Sequence, residues 1–394
     1  MTRPRACLIR QADRIETSLS REYEALVEQG YDVDVVIMRP PGPAYWAELP
    51  PGVTVRTVPT RRRRGGIGRY LLDYATFTLL ASAVVAYQHL RRRYAVVQVQ
   101  SMPDGLVIAG LVPQLLGAAL TMKVAEPTPQ LSETLGQPDL VRRIVARVQR
   151  WAARTADSAI TVTDELAADL IGRGVDAESV HVVHNVPSDS LGDLATGARP
   201  PDDRFTVVCH GTMLERYGQD TILHAVARIR DQIPGIEVLF TGSDDDWPEY
   251  KQTVTDLGLG DIVEHHVRLP LPELVRRLER SHVGVVAQKA SPYSHLVHTN
   301  KMYEYLLFGI PAVVSRLRAT EAFLGEGDVR YFTPGDADDL ARVLVELHDD
   351  PAARTALGVR GRARWDRCSW NASQRAAYLG AVDHARTRRA ARRR

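Results

Sequence analysis

From His298 to Leu317 the chain reads HTNKMYEYLLFGIPAVVSRL, with Asn300, Lys301 and Glu304 at spacings of three and four residues. On a helix those spacings put the three side chains on one face. A helix start at Asn300 offers free backbone N–H groups, which bind phosphate well, and the Lys301 ammonium adds a full positive charge. A carboxylate on the same face can accept hydrogen bonds from ribose hydroxyls. Two plainer accounts compete. Helix starts favour acids, but with Thr299 or Asn300 as N-cap the third helical position falls on Met302 or Tyr303, so Glu304 lies beyond a capping box. A solvated Lys301–Glu304 pair worth ~0.2–0.5 kcal/mol is the other account.

The stretch VVCHGTMLERYGQD supplies a second cation. Gly211 ends an apolar run, where a glycine lets backbone approach a ligand, and Arg216 follows before the next helical stretch. An ordinary strand–helix turn is the alternative. Gly242 repeats the arrangement in LFTGSDDDWPEY. Asp244, Asp245 and Asp246 stand just before Trp247 and Pro248, which predicts capping of a helix start rather than metal ligation. Arg216 and Lys301 are the positive partners that a diphosphate leaving group needs. Lysine occurs only at positions 123, 251, 289 and 301. Where arginine fills most basic positions, a retained lysine is more apt to hold a specific place, and that points at Lys301.

These residues must be positioned by a scaffold of buried strands. Apolar runs (ACLIR, VDVVIM, VVQVQ, MKVAE, AITVT, VHVVHN, then FTVVCHG, IEVLFTG, VGVVAQ, AVVSR, VRYFT) alternate with helical stretches such as SREYEALVEQG. Continuous hydrophobicity marks strands buried on both faces, and the helices between them imply parallel sheets. The pattern restarts at Phe205, after a stretch rich in Gly, Pro and Asp. The expected fold is therefore α/β, with two doubly wound Rossmann-like domains facing a central cleft. The expected boundaries are 1–190, a linker 191–204, and 205–369. A helix at about 370–385 returns to the first domain, and a disordered basic tail occupies 386–394.

With 394 residues, 44% hydrophobic and 25% charged, the chain suits two soluble domains. Cys7, Cys209 and Cys368 have no metal or disulfide spacing, and no apolar signal core follows MTRPRACLIR, so a cytoplasmic location is expected. Six arginines in the last nine residues outweigh the net charge of +2. That tail and the Arg61–Arg64 run offer contact with an anionic membrane. No nucleic-acid partner is expected. Leu71 to Tyr87 is apolar but carries Asp73 and falls short of the ~20 residues that span a bilayer, so it reads as a core helix.

The ordered set GTMLERYGQDT, FTGSDDD, NKMYEYLLFGIPAVVS and FTPGDADDLARVLVELHDDPAARTALG resembles the second domain of a family-4 retaining glycosyltransferase with the GT-B fold. The likeness continues in the first half through ADRIETSLSREYEALVEQGYDVDVV and MPDGLVIAGLVPQLLGA. It implies metal-independent transfer of a sugar, with configuration retained, from a nucleotide donor to a hydroxyl acceptor. A UDP-sugar is the expected donor, and no further cofactor is implied. The resemblance implies that the matching glutamate, Glu304, holds the donor ribose and that Arg216, the basic residue of the first loop, holds the diphosphate. Gly211, Thr212, Gly242, Val267 and Asn300 complete the implied donor set. The chain departs from the pattern at Leu296, where many members carry a second glutamate, and at Ala125–Glu126, where a His-Asp pair is usual. Glu126 is expected to bond a hydroxyl of donor sugar or acceptor in partial replacement, with Pro127 biasing its backbone to an extended form. A solvated acid at a strand end is the alternative.

Overall fold

The computed structural model describes residues 3–40, 49–61, 67–201, 203–242 and 247–393. It divides into two compact units, Met1–Asn185 with Ser373–Arg394, and Val186–Ala372. In the first unit β1 (Arg5–Ile9), β2 (Asp32–Met38), β3 (Val53–Val58), β4 (Val96–Gln100), β5 (Ala119–Val124), β6 (Ser158–Thr161) and β7 (Val180–Val182) form one sheet in the order β3-β2-β1-β4-β5-β6-β7. All pairings are parallel. The order reverses between β1 and β4, the switch point at which such sheets open a crevice. The helices are α1 (Thr17–Glu28), α2 (Ile67–Arg91), α3 (Leu111–Leu115), α4 (Thr128–Thr134), α5 (Asp139–Thr155) and α6 (Asp164–Gly172). A 3-10 turn, Asp104–Gly110, precedes α3.

Two charges are buried under this sheet. Lys123 on β5 and Glu22 on α1 are each 3% exposed and form an ion pair, and Gln98 donates to the other Glu22 oxygen at 2.6 Å. Tyr378 of the C-terminal helix donates to Gln98 at 3.0 Å, which extends the network to the far end of the chain.

The second unit repeats the plan. β8 (Phe205–His210), β9 (Ile236–Gly242), β10 (Val263–Val267), β11 (Val283–Val286), β12 (Ala312–Ser315) and β13 (Arg330–Phe332) are parallel in the order β10-β9-β8-β11-β12-β13. The helices that matter for the site are α7 (Gln219–Ile229), α8 (Trp247–Asp256), α9 (Leu271–Glu279) and α10 (Asn300–Leu307).

Several expectations need correction. The expected linker is anchored to the second unit at its middle, where the backbone N–H groups of Thr196 and Gly197 donate to the Glu279 carboxylate of α9. The boundary falls at Val186 rather than after residue 190. The basic tail is not disordered through Arg393. The helix Arg375–Ala391 packs on β5, β6, β7 and α1, and Arg388 and Arg392 pair with Asp176 and the fully buried Asp157. Arg394 lies outside the described residues, as do Arg62, Arg63 and Arg64; Arg61 is exposed. Finally, α2 is a surface helix rather than a core helix. Among its described residues Phe77, Thr78, Ala81, Val85 and His89 are buried, while Leu72 and Leu79 are 65% and 68% exposed. It is the one helix among the described residues long and apolar enough to cross a membrane.

Candidate active site

In the second unit the carboxyl ends of three adjacent strands carry Gly211, Gly242 and Val267. The register sets His210 beside Thr241 and Gly242 beside Val267. A Cβ on Gly242 would lie 1.7 Å from the Gly211 carbonyl oxygen, so only glycine permits this closeness between β8 and β9. Val267 is 55% exposed, and Thr212 is exposed with its carbonyl taken by Gln219 at 3.2 Å. The short turn Glu215–Tyr217 then delivers Arg216 and ends at Gly218, whose φ of +69° and contact with the Ala287 carbonyl exclude a side chain. Asp244, Asp245 and Asp246 lie outside the described residues.

Lys301 reaches the same corner from α10. It is 8% exposed, with Nζ 3.8 Å from Cys209 Sγ and 5.2 Å from the centre of the Tyr217 ring. The Arg216 guanidinium stands 4.9 Å from that ring, and its Nε is buried without a hydrogen-bond partner. Two cations therefore lean on one aromatic ring beside Gly211. Neither forms an ion pair among the described residues, and with only the Glu304 carboxylate of α10 acting on Lys301 the two cations are available to an anion.

Glu304 follows one turn along α10. The N-cap is Thr299, without a side-chain cap, so the carboxylate does not serve the helix start. Nor is it half of a solvated pair, because Lys301 is buried. The carboxylate instead receives Nε2 of His210 at 2.5 Å. The other ring nitrogen faces the Tyr305 hydroxyl at 3.2 Å, and that hydroxyl donates to the Val208 carbonyl at 3.1 Å. Burial raises the Glu304 carboxyl, but the charge and hydrogen bond of His210 and the nearby Lys301 outweigh it and hold the group below its ordinary value. The side chain stays 20% exposed. Asn300 is exposed at the first position of the helix. His210 was missed by sequence reasoning; its one signal is a polar ring closing an apolar strand directly before Gly211.

Leu296, in the position of the usual second glutamate, is 5% exposed on a short 3-10 turn before α10. Glu126 belongs to the first unit, just past β5 and half-buried. Its carbonyl accepts from the Thr128 N–H at 2.9 Å and from Gln149 Nε2 at 3.0 Å. The Ala125 N–H donates to Ser101 Oγ at 3.1 Å. Beneath this turn Asp104 is 5% exposed, bonded by Thr128 and more distantly by Gln149, and Arg173 donates to Gln149 at 2.8 Å. Burial pushes the Asp104 carboxyl up to about 6, against the pull of the Thr128 and Gln149 hydrogen bonds and the Arg173 charge. Asp104 was also missed, because an acid in MPDG reads as a turn residue.

Comparison with known proteins covers both units. Residues 15–186 match the Glycosyl transferase 4-like domain, and residues 204–350 match Glycosyl transferases group 1. An MMP alpha-(1->4)-mannosyltransferase of Mycolicibacterium hassiacum is 30% identical over 233 residues, spanning 57% of this chain and 54%, about half, of that protein. D-inositol 3-phosphate glycosyltransferase 1 of Catenulispora acidiphila is 27% identical over 345 residues, spanning 79% of this chain and 76% of that one. Among solved structures, sucrose-phosphate synthase from Thermosynechococcus elongatus superposes with a TM-score of 0.75 at 19% identity, over 99% of this chain and 100% of that one. The chain belongs to the family-4-like glycosyltransferases of the GT-B fold.

Proposed function

We propose that this chain is a metal-independent, retaining, hexosyltransferase-type enzyme acting in the cytoplasm. It moves a sugar from a nucleoside diphosphate donor, a UDP-sugar first, to a hydroxyl of a glycan precursor, a lipid-linked intermediate or a natural product. One observation carries the reading: Arg216 and Lys301 lean on the Tyr217 ring beside Gly211, with Glu304 one turn away on the helix that bears Lys301. The bond from the anomeric carbon to the diphosphate oxygen breaks, and the electron pair leaves with the diphosphate. The acceptor oxygen forms the new bond, and its proton leaves with the nucleoside diphosphate. Charge grows on the leaving oxygens, where two fixed cations stabilise it without a divalent ion. Gly211, Thr212, Gly242, Val267 and Asn300 line the donor, Glu304 takes the ribose hydroxyls, and Glu126 takes a hydroxyl of sugar or acceptor. The relatives, both named as glycosyl-transferring enzymes, support the class of reaction.

Incubation with UDP-, GDP- and dTDP-sugars tests the reading through donor hydrolysis or transfer, and proton NMR of the product reads its anomeric configuration. Activity is expected to persist in excess chelator. Full loss with EDTA, restored by Mg²⁺ or Mn²⁺, would overturn metal independence. A second reading, a nucleotide-sugar binder without turnover, rests on the buried Leu296 and on Ala125 at two usual motif positions. It predicts a thermal shift with donor nucleotide and no product.

A further inference from the structure

Among the described residues, seventeen of the twenty large exposed apolar side chains fall between Leu71 and Ile171. That segment holds α2, the turn with α3, α5 and α6, which connect β3 to β4, β5, β6 and β7. These crossovers run across the sheet in the direction opposite to α1. Right-handed connections therefore place them all on the face of the sheet that α1 does not cover. The C-terminal helix packs with α1 on the other face, and neither of those helices contributes one of the seventeen. One layer of the first unit thus carries most of the large exposed apolar side chains among the described residues, including Leu79 (68%) and Leu115 (80%).

Charge follows the same layer. On α5, Leu140, Ile144 and Trp151 are 61%, 49% and 44% exposed and share one stripe by their spacings of four and seven. Arg143, Arg147, Arg150 and Arg154 lie exposed along its flank. None of these four arginines has an ion-pair partner among the described residues; only Arg142 does, with Glu133 and Asp139. The helix holds five arginines against one aspartate. An apolar stripe with a tryptophan, edged by unpaired arginines whose stems can reach back over it, is the pattern of a helix lying in a lipid headgroup region. The alternative of a second copy on this face would set like-charged arginines against each other across a two-fold axis.

We propose that this layer of the first unit, centred on α5 and continued by α2 over about 37 Å of helix, docks on a bilayer surface bearing anionic lipid. The apolar stripe enters the headgroup boundary and the arginines meet the lipid phosphates. This surface is separate from the residues that hold donor, so it stands whether or not the chain transfers sugar. Co-flotation of the full chain with phosphatidylcholine vesicles, with and without phosphatidylglycerol, tests it. Binding is expected only with phosphatidylglycerol and should weaken as salt rises. Ile144→Glu with Trp151→Glu, and separately Arg143→Glu with Arg147→Glu, should each weaken it at least tenfold. Val359→Glu, at an exposed site of the second unit, should leave it unchanged, and all variants should keep the wild-type thermal melt and nucleotide binding. Absence of wild-type binding to the anionic vesicles, or wild-type binding by both double variants, overturns the proposal. So does light scattering that shows a lipid-free dimer broken by the Ile144–Trp151 variant, which would make the face a subunit interface.

Discussion

Glu304 is aimed by a histidine 94 positions earlier, at 2.5 Å, and not by its neighbours on the helix. That arrangement fixes what substitution does. Glu304→Gln should cost about 1–3 kcal/mol in donor binding or turnover, the loss of a charged hydrogen-bond partner. Unchanged donor KM and kcat in the purified variant would remove Glu304 from the site. Acid titration gives a second readout. The folded carboxyl is held below its ordinary 4.5, so its contribution is present above that value and lost as pH falls through the lower folded one. In His210→Phe the lowering partner is gone while burial remains, so the acid limb of nucleotide binding should move to higher pH. An unmoved limb would show that His210 does not control this carboxylate.

At the scale of elements, the turn from β5 into α4 is the feature that most needs testing. Gln149 and Thr128 bind the Glu126 carbonyl from α5 and α4, so the backbone there is held on two sides. Glu126→Gln should lower kcat/KM for transfer and leave affinity for the free nucleoside diphosphate intact, because Arg216, Lys301 and Glu304 sit on other elements. Wild-type transfer rates would sink the role given to Glu126. Asp104 below the turn has a folded carboxyl raised from 3.8 to about 6. Between those values the folded state binds the proton and the unfolded state does not, so stability falls as pH rises through the window and levels off above it. The drop is of order 3 kcal/mol at most. Urea unfolding of Asp104→Asn across this range should show that part of the slope abolished; an identical slope would place the titration elsewhere.

On the scale of the whole molecule, each unit closes its own core, but the first is completed only by the end of the chain. Tyr378, Ala381, Val382 and Ala385 are buried against it, and Arg389 and Arg392 face the buried Asp157. Removing Ser373–Arg394 would strip that apolar surface and leave a buried carboxylate without its cations, a combination worth several kcal/mol. The truncated chain should lose the first unit's cooperative unfolding transition, read by calorimetry, while the second unit's transition survives. Two intact transitions in the truncated protein would show the helix to be dispensable.

The parallel α/β plan was legible because buried parallel strands read as unbroken apolar runs. Eleven strands announced themselves that way. The two that did not, Val53–Val58 and Val263–Val267, are edge strands with one face half open to solvent, and VTVRTV and VEHHV carry polar residues accordingly. Arg216, Lys301 and Glu304 could be picked out because motif spacing is local. Their partners could not. Tyr217 under both cations, His210 on Glu304 and Lys123 on Glu22 are pairings made by sheet register and helix packing across tens of residues, which no local pattern records. The tail misled for the same reason. Arginine density alone signals a solvated end, and only the fold revealed Asp157 and Asp176 waiting for those charges. Local chemistry is written in the chain; which burial each charge meets is decided when distant segments pack.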